Sequence, residues 1–149
     1  MKKLFVFTDG GAIDNPGPAA IGVVIKIGEE TITKFGKRIG TATNNVAEYQ
    51  AVIEALEWIR NNLQFTIYPA KRDPAPRDNL QFFLDSTLVV NQLNGVFKVK
   101  EPNLRNLIVK IRQLEQALGG GISYQSIPRE KNFAADLEVK KALSVFPNS

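Results

Sequence analysis

The sequence predicts a mixed α/β domain, and two changes of pattern along the chain predict it. Up to Ile39, short apolar runs end at glycines and turn residues, as strands do. From Asn45 the apolar positions recur at helical spacing, and after Leu80 short buried runs alternate with helical stretches. The 149 residues, 44% hydrophobic and 23% charged, have the composition of a globular domain and not of a disordered chain. A chain of this length buries roughly two-thirds of its extended surface.

Residues 4–8, Leu-Phe-Val-Phe-Thr, read as a buried strand ended by Asp9-Gly10-Gly11. Residues 12–18, with Asn15-Pro16-Gly17-Pro18, read as a loop. Residues 21–27 and 31–39 form two further strands across the turn Gly28-Glu29-Glu30, so three consecutive strands make an antiparallel meander. A helix follows from residue 45 to about 63, on the spacing of Val46, Tyr49, Ile53, Leu56 and Ile59. Residues 66–79 carry Pro69, Pro74 and Pro76 among charged residues and read as a surface loop. Residues 80–85 are a short buried strand, 86 to about 93 a helix stopped by Asn94-Gly95, and 102–118 a helix stopped by Gly119-Gly120-Gly121. A fifth strand over 122–127 and a last helix from 132 to about 145 complete the order β-β-β-α-β-α-α-β-α. With no repeat and no internal linker, that order predicts one domain over residues 1–149.

Lysine and arginine number 19 against 15 acidic residues, giving a net charge of +4 and a pI near 9.4. The excess suits an anionic partner without requiring one. There is no cysteine, which excludes disulfides, thiolate metal sites and cysteine nucleophiles. There is no histidine either, which excludes serine–histidine and cysteine–histidine nucleophile pairs and imidazole-held zinc. Hydrolytic chemistry must then run on carboxylates, lysine, tyrosine or a carboxylate-held metal. No apolar run approaches the roughly 20 residues of a membrane span, and the run after Met1-Lys2-Lys3 is too short for a signal-peptide core. A cytoplasmic location is expected.

Asp9 and Asp85 each end a strand. If the first strand pairs in parallel with the strand ending at Leu84, the two acids project from neighbouring carboxyl ends, where open α/β sheets place ligands. Singly, each acid has an ordinary structural reading. Asp9-Gly10 is a common turn pair, Asp85-Ser86 can cap a helix, Asn45-x-x-Glu48 fits a capping box, and Asn132 with Asp136 can be read as a further cap.

Together with their surroundings the acids do not read as caps. The segments are Thr8-Asp9-Gly10-Gly11 with Asn15-Pro16-Gly17, Thr43-Asn44-Asn45-Val46-Ala47-Glu48, Leu84-Asp85-Ser86, and Ile127-Pro128-Arg129-Glu130-Lys131-Asn132 followed by Ala135-Asp136. Their order and spacing resemble type 1 ribonuclease H, the family that cuts the RNA strand of RNA–DNA hybrids, from residue 4 to about 143. The resemblance implies a ribonuclease H-like fold: a five-stranded mixed sheet, three strands antiparallel and two parallel, flanked by helices. It places Asp9, Glu48, Asp85 and Asp136 together at one edge. It also implies hydrolysis with two magnesium ions, manganese being a substitute; the physics agrees, since clustered carboxylates need protons or cations and hard oxygen ligands select these metals. One ion activates water and the other stabilises the departing 3′ oxygen. Asp9 would bridge both ions, with Glu48 and Asp85 on the nucleophile side and Asp136 on the water side.

By the same resemblance, Asn15, Asn44 and Asn45 lie in the RNA minor groove and read the 2′-hydroxyl, with Gly11 and Ala12 contributing backbone. Thr43 and Asn103 correspond to residues that hold a phosphate of the DNA strand. The chain also departs from the better-known pattern. Where many members carry a loop histidine it has Pro128-Arg129-Glu130-Lys131, so Arg129 or Glu130 stands in, or product release proceeds unaided; Asn132 is a further auxiliary position. A basic protrusion is missing, which predicts weaker and more salt-sensitive binding of the hybrid. Phe97, Lys98 and Lys100 partly compensate by tracking the backbone, although a solvated helix face around a core Phe97 fits the same residues. Thr41 replaces a common arginine, and the last helix lacks a leucine–alanine pair after Asp136, which leaves its packing register open.

The partner implied is an RNA–DNA hybrid, without a membrane, and the chain reads as a free-standing monomer. Two other functions are compatible with parts of the pattern. One is a resolvase- or integrase-like nuclease on the same fold, which would lack the asparagine set. The other is a non-catalytic hybrid-binding module, which would have no need of four intact acids.

Overall fold

Side chains alternate along the first strand, β1 (Leu4–Ala12), and this alternation assigns every neighbour to a layer. Leu4, Val6 and Thr8 are buried on one face, while Phe5 and Phe7 are half-buried on the other. The computed structural model describes residues 3–67 and 79–144. The remaining elements are β2 (Gly17–Ile27), β3 (Glu30–Ala42), α1 (Asn44–Ile67), β4 (Leu80–Leu84), α2 (Thr87–Leu93), α3 (Pro102–Ala117), β5 (Ile122–Ser126) and α4 (Phe133–Ser144). A single 3-10 turn over Arg129–Asn132 leads into α4.

The strands lie in the order β3-β2-β1-β4-β5. β1 pairs antiparallel with β2, and β2 with β3; β1 pairs parallel with β4, from Leu4 opposite Leu80 to Phe7 opposite Phe83, and β4 parallel with β5. The five-stranded mixed sheet expected from the sequence is therefore present. Leu4, Val6, Phe82 and Leu84 share one core with Tyr49, Ile53 and Leu56 of α1, Val89 and Leu93 of α2, and Leu104 and Ile111 of α3. The hydroxyl of the buried Tyr49 donates to Gln92 Oε1 and ties α1 to α2.

Several boundaries differ from the sequence expectation, each for a physical reason. Asp9-Gly10-Gly11 does not turn; β1 continues to Ala12, pairing Gly10 with Ile21 and Ala12 with Ala19. The expected loop over 12–18 shrinks accordingly, since Ala12 ends β1 and Gly17-Pro18 begin β2. Pro18 fits at the mouth of this hairpin because only its carbonyl is needed, accepting from Ile13 N at 2.8 Å. β3 runs on to Ala42 across a bulge, where Gly40 at φ 85° absorbs the register shift opposite Ala19 and Ala20. α1 starts at Asn44 and extends to Ile67, so the first two residues of the expected proline-rich loop are helical, and 68–78 lie outside the described residues. The last helix begins at Phe133 because Asn132 still belongs to the 3-10 turn.

α4 covers the opposite face of the sheet, and glycines decide how closely. Asp9, Gly22 and Gly36 lie in one row across β1, β2 and β3. A Cβ on Gly22 would stand 2.2 Å from Ala135 O, and one on Gly36 2.3 Å from Glu138 O. The helix backbone thus rests on bare sheet, and this contact sets the packing register that the sequence left open. Gly22→Ala is expected to lower stability by roughly 2–4 kcal/mol in urea unfolding. Gly11→Ala, whose new methyl would meet only Val139 Cγ1 at 3.7 Å, should change it by less than about 1 kcal/mol.

Candidate active site

Asp9 sits on β1 with its side chain on the α4 face, and Gly10, the next residue, faces α1. A Cβ at Gly10 would fall 2.2 Å from the Ala47 carbonyl carbon, so only glycine lets the first turn of α1 come this close. The approach allows Gly10 N to donate to Glu48 Oε1 at 2.8 Å. Glu48 is therefore not part of a capping box. Thr43 caps α1 instead, its Oγ1 accepting from Val46 N at 3.2 Å.

Asp85 follows the last residue of β4, and Ser86 caps α2 by accepting from Val89 N. Asn132 does not cap α4. It is buried, and its Nδ2 donates to Thr8 O at 2.8 Å and to Asp85 Oδ2 at 3.0 Å, linking the 3-10 turn, β1 and the second acid. Carboxylate oxygens of Asp9, Glu48 and Asp85 all lie within 4.8 Å of one another. Asp136, in the first turn of α4, lines the same cleft and pairs with Lys140 at 3.0 Å. The structure thus brings all four predicted acids to one cleft, three of them in a tight group.

Packing like charges out of water is costly, and the acids register it. Burial, opposed by the hydrogen bond with Glu48 and reinforced by the negative charges of Asp85 and Asp136, pushes Asp9 up to about 7. Burial and then the Asp9 charge hold the Glu48 carboxyl well above its usual range. Glu48 Oε2 and Asn132 Oδ1 are buried acceptors with no partner among the described residues. Orphaned oxygens among crowded carboxylates call for protons or cations, and a donor set made only of oxygen fits a hard divalent ion.

The cleft encloses about 450 Å³ and is also lined by Gly10, Gly11, Asn44, Asn45, Ser86, Arg129 and Val139. Its asparagine rim is organised by hydrogen bonds. Asn44 Oδ1 accepts from Ala12 N at 2.9 Å, and Asn15, exposed and outside the lining, supports the rim as its Oδ1 accepts from Asn44 N at 2.9 Å; neither amide NH2 group has a protein partner among the described residues. Asn103, Phe97, Lys98 and Lys100 do not line the cleft. They are on or before the start of α3, where Phe97, Lys98, Lys100 and Asn103 are exposed or half-exposed. Glu130 is exposed on the 3-10 turn, also outside the lining. Ser86 and Val139 line the cleft without having been singled out as site residues. Val139 carried one usable signal, its position one helical turn after Asp136.

The ribonuclease H family model matches residues 1–118 of the chain. The chain belongs to the ribonuclease H family. Among solved structures it is similar to LC11-RNase H1, isolated from compost by a metagenomic approach, with 40% identity, a TM-score of 0.84, and 95% of this chain and 96% of that one covered. That protein has also been solved in complex with an RNA/DNA hybrid. RNase H1 from the halophilic archaeon Halobacterium salinarum is 34% identical at a TM-score of 0.81, over 95% of this chain and 97% of that one. A bifunctional protein of Mycobacterium tuberculosis is 33% identical over 99% of this chain, which spans 37% of that relative's length. The chain spans 64% of the curated ribonuclease HI of Halobacterium salinarum. These matches make it a type 1 member with the family's fold. Ribonucleases H depend on divalent metal, and the Asp9–Glu48–Asp85 group is an acid cluster that could hold such an ion. No helix among the described residues is long and apolar enough to cross a membrane.

The raised acids give a stability prediction. Asp9 titrates near 3.8 when unfolded and about 7 when folded, so between these values the native state holds more protons than the unfolded chain. Metal-free protein therefore loses stability as pH rises through that window. In thermal unfolding with EDTA, Asp9→Asn should be more stable than the wild type at pH 8 by roughly 2–4 kcal/mol, with the gap closing toward pH 4. A gap that does not vary with pH would contradict the burial argument.

Proposed function

We propose that this chain is an endoribonuclease that hydrolyses the RNA strand of RNA–DNA hybrids, with Asp9, Glu48, Asp85 and Asp136 as its catalytic, metal-holding residues. The observation that carries this is the group of three carboxylates within 4.8 Å, open to a cleft whose rim is asparagine amides. Similarity to the RNase H1 solved with a hybrid supports the choice of substrate. Magnesium is the ion proposed, with manganese as a substitute, since the donors are all hard oxygens and the chain has no histidine or cysteine. Bound there, the ions supply a water made nucleophilic near neutral pH and charge stabilisation for the leaving 3′ oxygen.

The chain's own residues do the rest. Glu48 is held by the Gly10 amide and Asp85 by the Asn132 amide, so neither carboxylate has to be ordered when substrate arrives. Asn15, Asn44 and Asn45, with the backbone of Gly11 and Ala12, present donors and acceptors to the minor groove, where the 2′-hydroxyl distinguishes RNA from DNA. Thr43 and Asn103 serve a phosphate of the DNA strand. Arg129 or Glu130 takes the place of the missing loop histidine, and Lys98 and Lys100 with Phe97 track the backbone beyond the cleft. The absence of any required disulfide suits a cytoplasmic setting.

Strand-labelled RNA–DNA hybrid, duplex RNA and duplex DNA, each with magnesium or EDTA, test the proposal. Only the RNA strand of the hybrid should be cut, and only with metal. Asp9→Asn should slow cleavage by roughly 10³-fold or more while the hybrid is still bound. Cleavage of a DNA strand, or activity surviving EDTA, would overturn the assignment. In a salt titration of hybrid binding, Lys98→Ala with Lys100→Ala should reduce the slope of log affinity against log salt by about 1–2, equally for all hybrid sequences.

A further inference from the structure

Phe133, the first residue of α4, is 63% exposed. One exposed aromatic is ordinary, but the surroundings of this one are not. Its predecessor Asn132 is buried and bonded to Asp85, so the backbone here is pinned to the acid cluster. Asp136, which lines the cleft, lies one helical turn further along on the same side of α4. Just before it, the 3-10 turn carries Arg129, at the cleft wall, and Lys131, both exposed. Neither forms an ion pair among the described residues, whereas Lys37, Lys110, Lys140 and Lys141 each do.

Position then indicates what such a patch meets. α1 and α4 lie on opposite faces of the sheet, so Asn44 and Asn45 border the acids from one side and the first turn of α4 from the other. An RNA strand that crosses the asparagines and sets a phosphate over the acids can continue along the α4 side. There it meets two unpaired cations and a bare aromatic ring. Single-strand grooves combine these same elements, with cations on phosphates and a ring against a base or ribose.

We propose that Phe133 and Lys131 form a further subsite for the RNA strand, holding the nucleotides that leave the cleft on the α4 side. The inference rests on the hybrid-cleaving function proposed above. The ring packs against one nucleotide, and Lys131 pairs with a flanking phosphate.

Fluorescence anisotropy in an Asp9→Asn background, with magnesium and a nested set of hybrids whose RNA is shortened from either end, tests it. Phe133→Ala should weaken binding of the longest hybrid by about 5- to 50-fold, and Phe133→Trp should stay within about 3-fold of the parent. The loss should vanish once the RNA is shortened past the α4 side, while shortening from the other end leaves it unchanged. Because the ring is exposed, the melting temperature of Phe133→Ala should match the parent. Equal binding by parent and Phe133→Ala would overturn the subsite, as would a loss independent of RNA length. If the parent itself failed to bind the hybrid, the proposed function would fall first, which separates the two failures.

Discussion

Gly10 and Gly22 let two helices on opposite faces of the sheet close onto the same short stretch of β1 and β2. A Cβ at either position would stand 2.2 Å from helix backbone, from Ala47 of α1 in one case and Ala135 of α4 in the other. Strand alternation makes the arrangement workable, because Asp9 and Gly10 are consecutive and face opposite layers. α1 brings Glu48 to the Gly10 amide, α4 brings Asp136 to the same cleft, and Asp9 lies between them. The parallel pairing of β1 with β4 adds Asp85 from the neighbouring strand end. The two acids delivered by helices, Glu48 and Asp136, therefore depend on two residues that contribute no side chain.

The electrostatics follow from that closeness. Asp9 and Glu48 are buried beside other acids, and both hold their protons far more tightly than free carboxyls do. The metal-free fold carries this cost, which an ion bound among the acids would relieve, as functional sites commonly give up stability. Asn132 shows the support such a site needs. It fixes Asp85 with one amide hydrogen and Thr8 O with another, while its oxygen stays orphaned near the carboxylates.

Much of this was legible in the residues. The strand and helix order is correct throughout the described residues, because apolar periodicity and glycine–proline punctuation are local signals. All four acids reach one cleft, as their motif contexts imply. The errors fall where tertiary contacts override local preference. Asp9-Gly10-Gly11 has turn composition, yet pairing with β2 and the pressure of α1 against Gly10 keep it extended. Asn45-x-x-Glu48 has the spacing of a capping box, yet Glu48 is drawn across to β1 and Thr43 takes the capping role. Asn132 and Asp136 likewise resemble a cap, but the asparagine bonds a strand 124 positions away.

A chain without cysteine or histidine leaves hydrolytic chemistry to carboxylates, lysine, tyrosine or a carboxylate-held metal, and composition needs no fold to say so. The identity of the acids and the type of each element were likewise carried by local sequence. Only the tertiary structure decided which oxygens are buried, which amide secures which carboxylate, and which aromatic stays bare beside the cleft. Those outcomes depend on contacts between elements distant in the chain, and no local period or motif spacing encodes the distance at which two faces finally meet.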